Sequence, residues 1–245
     1  MQDSTEAHVR DARQRPASGM LTRLGIHRFS AVELLVVLIL WLISGPFVMQ
    51  LQRGDVIEAV LMTVLMLSAV RVVGGRRRML IVGCVLAAPA VIGKWGNHVR
   101  PDLVPPQIFA ISALVFIGFV VVQLLRFIFR APRVNTEVLC VGICGYLFIG
   151  IFWASAYVLV GQLVPGSFAF SGDSSSDHQM IGVEAVYFSF VTLCTVGYGD
   201  IVPTSYVSRA LAIFEATAGT FYVTVLIARL VALHATETLR KHTDG

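Results

Sequence analysis

Long apolar runs recur along this chain, and they limit what it can fold into more than any other feature. Two of them, Ala31–Leu51 and Ile108–Leu125, are close to the ~20 residues that a helix needs to cross a lipid bilayer. The chain is 56% hydrophobic and 14% charged, whereas soluble domains carry about 25% charged residues. The sequence therefore predicts an all-α integral membrane protein.

Six apolar segments are predicted to span the membrane, over residues 31–51, 56–73, 79–93, 106–129, 136–163 and 204–234. The third is short and contains Pro89, but the distribution of charge requires an even number of spans. Most of the 19 Lys and Arg residues fall in segments that alternate to one side, and cytoplasmic loops carry such an excess. We therefore expect both termini to be cytoplasmic and the protein to lie in the plasma (inner) membrane, with lipids rather than nucleic acid around it.

Acidic residues near the starts of two spans have two possible interpretations. Ser30 and Glu33, like Asp55 and Glu58, have the spacing of a capping box, in which the acid accepts from a free backbone N–H at the helix start. An acid inside a membrane span is otherwise a functional hypothesis. Because each acid lies within one turn of an interface, we favour capping at both positions.

A polar stretch and a short apolar one separate the fifth span from the sixth. The polar stretch, Gly166–Gln179, contains several Ser and Gly residues, and we predict an exposed extracellular turret there. The apolar segment Ile181–Cys194 is too short to cross a bilayer. It is typical of a re-entrant helix, because irregular backbone at membrane depth persists only where it is packed in protein or lines a watery path.

The residues that follow this short helix, 192–200, read TLCTVGYGD. Gly197 and Gly199 tolerate positive φ values, which let successive carbonyls face one way. The carbonyls from Thr195 to Tyr198 form the kind of oxygen array that replaces the water shell of a dehydrated potassium ion.

This string resembles the TVGYG selectivity filter of the tetrameric P-loop potassium channel superfamily, and its setting is similar to bacterial six-helix members with a two-helix pore module. The resemblance implies that Thr195, Val196, Gly197 and Tyr198 bind K+, with Gly199 completing the filter. One strand offers too few carbonyls to replace a hydration shell, so four copies must surround one axis. We expect a homotetramer that conducts K+ passively and needs no cofactor besides the permeant ions.

Residues before and after the filter also match that family. Tyr187 and Phe188 occupy the place of an aromatic pair that braces the filter in many members, and Asp200 matches an aspartate just outside it. Because Phe188 has no donor, only Tyr187 is able to hold Asp200 here. The resemblance thus implies filter support from Tyr187, Thr192 and Asp200.

The sixth span matches the inner helix of the same family. Gly219 falls where that helix has its hinge glycine, although close helix packing also explains a glycine there. Helical spacing places Val223 and Ile227 on the same stripe, and such a stripe lines a pore or faces lipid. The resemblance assigns Gly219, Val223 and Ile227 to the hinge and cavity, where an apolar ring at Ile227 is suited to closing the pore by dewetting.

The first four spans differ from a voltage sensor. Residues 107–125 of the fourth span contain no ionisable side chain, while Arg126, Arg130 and Arg133 cluster at its cytoplasmic end. Each charge that crosses the membrane is worth about 2.3 kcal/mol per 100 mV, so we expect no voltage gating by this helix. Only a short segment follows the sixth span, and we expect no attached sensing domain. The predicted domains are an N-terminal cytoplasmic tail with an interfacial helix (1–29), a four-helix transmembrane domain (30–130), a pore domain (131–235) and a short cytoplasmic tail (236–245).

Two other functions are compatible with these residues. Cation transporters also use filter-like loops, but they carry four degenerate loops in one chain, whereas this chain carries one intact copy. A sensory membrane protein with a vestigial pore would work through its first four spans, but an intact filter and a matching Gly219 argue against decay. An enzyme is not expected, because the six His residues are dispersed and no nucleophile–base or metal spacing is present.

Overall fold

The structure of the protein, a computed structural model, describes residues 28–48, 51, 54–73, 77–99, 106–131, 135–171 and 180–243. Helices dominate these residues, and a two-stranded sheet lies beyond the fifth helix. In chain order the elements are α1 (Arg28–Val48), α2 (Gly54–Val73), α3 (Arg77–Val99), α4 (Pro106–Arg130), α5 (Thr136–Leu163), β1 (Phe168–Phe170), α6 (Gly182–Leu193), β2 (Ile201–Pro203) and α7 (Tyr206–Thr243).

Six helices in the described residues are long and apolar enough to cross a membrane. The apolar spans within them are Ala31–Val48, Val56–Val73, Arg77–Gly96, Ala110–Arg130, Thr136–Leu163 and Tyr206–Ala232. The remaining helix, α6, has 12 residues and is too short to cross. The predicted all-α, multi-pass membrane protein is therefore confirmed, together with the short helix between the fifth and sixth spans.

A side-chain cap sets the beginning of α5. Asn135 has an extended backbone, and its side chain accepts a hydrogen bond from the Val138 N–H at 2.9 Å. This bond satisfies one of the N–H groups that a helix leaves free at its start. Because the connection 131–135 between α4 and α5 is short, the two helices are adjacent.

The main apolar core joins the four-helix unit, α1–α4, to α5. Leu34 of α1 and Phe116 and Leu124 of α4 are buried in one cluster with Val141 and Phe148 of α5. The four-helix unit therefore packs on the α5 helix of its own chain, a relationship that the sequence pattern does not determine.

A second apolar cluster lies between α5, α6 and the sheet. The rings of Tyr157, Phe168 and Phe188 meet edge-on, with centroids 5.7 Å apart for Tyr157 and Phe168 and 4.9 Å apart for Tyr157 and Phe188. The strands β1 and β2 are antiparallel, and Phe168 pairs with Pro203. The sheet thus joins the chain after α5 to the chain after residue 200.

The prediction of an exposed turret over Gly166–Gln179 is wrong for its first part. Ser167 and Phe168 are buried, because Phe168 belongs to β1 and fills the aromatic cluster. Residues 172–179 lie outside the described residues.

Several predicted boundaries differ from the observed ones. The helix α3 extends beyond both ends of the predicted span 79–93 and includes Pro89, which membrane helices tolerate when neighbours satisfy the freed backbone groups. The helix α7 continues to Thr243, so residues 236–243 of the predicted short tail are helical. Of the predicted tail 1–29, residues 28 and 29 belong to α1 and the others lie outside the described residues.

The predicted capping box of Ser30 and Glu33 is wrong. The helix α1 already includes Arg28, so Ser30 lies inside it rather than before it. Glu33 instead forms an ion pair with Arg71 of α2, with its Oε1 3.1 Å from Nη1. Antiparallel neighbours place the start of one span beside the end of the next, so opposite charges at the same membrane level are able to meet.

The same correction applies to Asp55 and Glu58. The helix α2 begins at Gly54, so Asp55 lies within its first turn. The Oε2 of Glu58 lies 3.1 Å from the Nζ of Lys94 on α3. Both Glu33 and Glu58 therefore connect neighbouring helices, which depends on helix arrangement rather than on spacing along the chain.

Candidate functional site

The filter segment, Thr195–Gly199, leaves the carboxyl end of α6. The N–H groups of Val196 and Gly197 both point back to the Val191 carbonyl, at 2.9 and 3.3 Å, and the Thr195 N–H donates to the Thr192 carbonyl at 2.9 Å. Thr192 therefore supports the segment through its backbone. Together these bonds hold the first half of the filter segment against the helix that precedes it.

The backbone of the filter segment alternates in the sign of φ. It is positive at Thr195 (58°), Gly197 (58°) and Gly199 (79°), and Val196 and Tyr198 between them are not among the positive-φ residues. The positive φ predicted for the two glycines is confirmed. Thr195 was not expected in this conformation, which non-glycine residues seldom adopt. It lies in the turn that follows α6.

A side-chain hydrogen bond closes the outer end of the filter segment. The Tyr187 hydroxyl of α6 donates to Asp200 Oδ2 at 2.7 Å, and the other carboxyl oxygen accepts from the Ile201 N–H at 3.0 Å. The Tyr187 ring also stacks on Tyr198, with centroids 6.5 Å apart and planes 5° apart. The predicted contact between Tyr187 and Asp200 is therefore present, and it joins the end of the filter segment to α6.

This bond changes the titration of both groups. The hydrogen bond from Tyr187 holds the pKa of the Asp200 carboxyl below its ordinary value. The same bond raises the pKa of the Tyr187 hydroxyl to about 12. At neutral pH the carboxylate is thus the acceptor and the phenol the donor.

The sheet supplies a second attachment for the outer end, which the sequence did not predict. The backbone N–H of Ser171 donates to the Asp200 carbonyl at 2.7 Å, and the Ser171 hydroxyl reaches the Gly199 carbonyl at 3.4 Å. Arg209 donates from Nε to the carbonyl of Pro203 at the end of β2. Three-residue strands have no periodicity of their own, so nothing in the sequence signals their pairing.

Gly219 is buried where α7 crosses the end of α6. A Cβ at this position would lie 2.7 Å from the Leu193 carbonyl oxygen and 2.8 Å from Leu193 Cδ1. Close packing therefore accounts for the glycine, which is the second of its two interpretations. Its role as a hinge stays a prediction.

Val223 and Ile227 of the predicted stripe on α7 are exposed in the single chain, and the neighbouring leucines pack on the core. Leu226 and Leu230 pack against the main core, whereas Val223 is 39% exposed and Ile227 is 55% exposed. Exposure in a single chain fits a pore lining and a lipid-facing surface equally. The assignment of Val223 and Ile227 to the cavity stays a prediction.

Arg229 connects the carboxyl-terminal half of α7 to the four-helix unit. Its Nε donates to the Ile128 carbonyl at 2.9 Å, and its Nη2 reaches the carbonyls of Phe129 and Ala131. These carbonyls lie at the carboxyl end of α4, where a helix leaves such groups without internal partners. A cation there also complements the helix dipole, so this contact joins the two parts of the chain.

Glu215 on α7 was not singled out from the sequence. Its side chain is fully buried, and the Tyr157 hydroxyl of α5 donates to its Oε2 at 2.5 Å. The Oγ of Ser189 on α6 lies 2.5 Å from Glu215 Oε1 and 2.7 Å from the Gly150 carbonyl. Three helices therefore meet at one carboxyl group. An acid within an apolar span was the available signal, since such residues are usually functional.

The part of the chain that holds these features matches a known family. Residues 138–234 fit a family model described as ion channel. The chain is also 40% identical over 80 residues to Two-pore potassium channel 1 of Arabidopsis thaliana, 43% over 49 residues to Two-pore potassium channel 2 of the same plant, and 32% over 87 residues to Two pore potassium channel c of Oryza sativa subsp. japonica. Through this region, the chain is similar to ion channels, and the relatives it matches there are potassium channels.

The matches cover a limited part of each protein. They include 32%, 20% and 36% of this chain and 21%, 11% and 18% of the respective relatives, so the chain spans only a small part of the curated relatives it matches. No solved structure matches it at a significant level. Because the family and the relatives are channels, the prediction that the chain is not an enzyme is confirmed.

Proposed function

We propose that this protein is a potassium-selective channel in which four copies surround one pore and K+ crosses the membrane passively. The observation that carries the proposal is the alternating backbone at Thr195, Gly197 and Gly199, directly after a helix too short to cross the membrane. In such a segment Thr195, Val196, Gly197 and Tyr198 would offer carbonyl oxygens to a dehydrated ion. The Thr195 hydroxyl would be the innermost ligand.

The homotetramer is proposed from the chemistry of the filter segment. One chain supplies one strand of carbonyls, and K+ needs several such strands to replace its water shell. The side chains of Val196 and Tyr198 are 52% and 71% exposed in the single chain. Neighbouring copies around a common axis would cover these apolar and aromatic groups, which supports assembly at this face.

The electrostatics of the site favour a cation. The carboxyl end of α6 adjoins the filter segment, and a helix carries about half a negative charge at that end. Asp200 adds a carboxylate at the other end of the segment, with its pKa held low by Tyr187. Both features support cation entry, and neither favours an anion.

The four-helix unit is proposed to act as a scaffold rather than as a voltage sensor. Residues 107–125 of α4 contain no ionisable side chain, so α4 has little to move in an electric field. Arg229 fastens α7 to the carboxyl end of α4, which would hold the inner helices in place. By the charge distribution, we propose a plasma (inner) membrane location with both termini cytoplasmic.

Cation flux into liposomes tests this proposal. Purified protein should dissipate a K+ gradient and leave a Na+ gradient largely intact, and native mass spectrometry should find four chains. Gly197→Ala should abolish the flux, since its φ of 58° strains any residue with a Cβ. Gly96→Ala is the matched control, because a Cβ there meets nothing within 4 Å. Equal K+ and Na+ flux would contradict potassium selectivity, and no flux of either ion would point to the sensory alternative.

A further inference from the structure

Three polar side chains from three helices meet behind the filter segment. Tyr157 of α5, Ser189 of α6 and Glu215 of α7 are each 0% exposed. Ser189 lies on the helix that leads into the filter segment, and Glu215 lies one turn before Gly219. A change at this carboxyl group would therefore act on the helix that carries the filter.

Ser189 has one hydroxyl hydrogen but lies close to two oxygen atoms. Its Oγ lies 2.7 Å from the Gly150 carbonyl and 2.5 Å from Glu215 Oε1. A serine hydroxyl has one hydrogen, and a carbonyl or an ionised carboxylate only accepts. If Glu215 were ionised, one of these two contacts would place two oxygens face to face with no hydrogen between them.

A proton on Glu215 resolves both contacts. The Oε1–H group then donates to Ser189 Oγ, and the serine hydrogen is free to donate to the Gly150 carbonyl. The Tyr157 hydroxyl donates to the remaining oxygen, Oε2, at 2.5 Å. Every hydroxyl in this cluster then donates once, and the acid accepts and donates as a neutral carboxyl group does.

The charges around Glu215 favour the neutral form. In the described part of the chain no Lys, Arg or His side chain forms an ion pair with it. Among the described residues, the titratable groups that interact with it are the hydroxyls of Tyr157 and, nearer the start of α5, Tyr146, and its contact on α6 is Ser189. The nearest basic residue along α7, Arg209, is bonded to the Pro203 carbonyl. A buried carboxylate without a cation is strongly disfavoured.

We propose that Glu215 is a positioning residue that keeps its proton at neutral pH and, through it, holds α6 against α5 and α7 behind the filter. The effect of Glu215 on conduction rests on the proposed channel function. Loss of the proton in alkaline solution would break the donation to Ser189 and loosen the helix that carries the filter segment. Conduction should then fall as the pH rises.

Variants of the full chain separate a neutral acid from an ionised one. Glu215→Gln keeps the pattern, because its NH2 is able to donate to Ser189 and its carbonyl to accept from Tyr157. We expect K+ flux within ~2-fold of wild type and no decline at alkaline pH. Glu215→Ala should lose flux about tenfold or more, because Tyr157 and Ser189 lose their partner. Glu33→Gln, at an exposed ion pair, controls for loss of a charge elsewhere.

Infrared difference spectroscopy of wild type against Glu215→Gln reads the proton directly. A carboxylic-acid carbonyl band at neutral pH, present only in wild type, is expected. Carboxylate bands alone, or a Glu215→Gln variant as impaired in thermal stability as Glu215→Ala, would overturn the proposal. If wild type carries no K+, the channel function fails, while the infrared and stability comparisons still decide whether Glu215 holds a proton.

Discussion

The Tyr187 hydroxyl donates a 2.7 Å hydrogen bond to the carboxylate of Asp200, so a side chain of α6 holds the residue that directly follows the filter segment. The same ring stacks on Tyr198 within the segment. One aromatic residue thus contacts the outer end of the filter in two ways, and it is the natural place to test how the outer end is stabilised.

Replacing Tyr187 with Phe should speed the decay of K+ current during sustained opening without changing which ion passes. The substitution keeps the ring that stacks on Tyr198 and removes only the donor to Asp200. Current decay in a planar bilayer is the measurement. Tyr206→Phe is the matched control, because Tyr206 is 91% exposed. Unchanged decay in Tyr187→Phe would show that the sheet alone holds the outer end.

The bond between Tyr187 and Asp200 should also determine the pH below which current decay changes. Its effect is to hold the pKa of Asp200 below the ordinary value. When the pKa of a group is lower in the folded protein than in the unfolded chain, the ionised group stabilises the folded state. This stabilisation is complete above the ordinary pKa, and it is lost as the pH falls through the lowered pKa. Current decay in wild type should therefore change only below the ordinary range of an aspartate. In Tyr187→Phe the change should begin at higher pH, and coincident profiles would contradict this.

Gly219→Ala should destabilise the protein. The added Cβ would lie 2.7 Å from the Leu193 carbonyl oxygen, which is backbone and moves only if α6 or α7 shifts. Overpacking of this kind costs about 1–3 kcal/mol. Thermal unfolding in detergent measures the effect, and Gly96→Ala, in open space, should be neutral or slightly stabilising. Equal behaviour of the two variants would remove the packing explanation for Gly219.

Opening should depend little on membrane voltage. A steep conductance–voltage curve requires several charges to move in the field, each worth about 2.3 kcal/mol per 100 mV, and residues 107–125 of α4 offer none. Conductance recorded across a range of voltages should be flat or shallow. A charge movement of several elementary units per subunit is the result that would exclude a scaffold role for α4.

The fold was largely predictable because the length of an apolar run shows whether it is able to cross a membrane. The six spans and the short α6 follow from the sequence, as do the positive φ at Gly197 and Gly199 and the contact of Tyr187 with Asp200. The predictions that were wrong, and the contacts that were missed, depend on which elements meet in the fold. Glu33 and Glu58 looked like caps until their neighbours Arg71 and Lys94 were known. The pairing of Phe168 with Pro203 joins segments with no shared pattern.

Glu215 illustrates the same limit at the candidate site. An acidic residue is conspicuous in an apolar span, but the role of Glu215 depends on its hydrogen-bond partners. These are Tyr157 and Ser189, which are 58 and 26 residues away in sequence. Likewise, spacing alone could not tell whether Gly219 is a hinge or a packing site, and the Leu193 carbonyl supplied the reason for packing. Partners distant in the chain become visible only in three dimensions.

The most direct test of the account is the reversal potential of purified protein in a planar bilayer with K+ on one side and Na+ on the other. A filter that replaces the water shell of K+ with carbonyls from Thr195 to Tyr198 should place the reversal potential close to the K+ equilibrium potential. Gly197→Ala should remove this current, and Gly96→Ala should leave it unchanged. A reversal potential near zero, indifferent to the K+ gradient, would contradict the central claim.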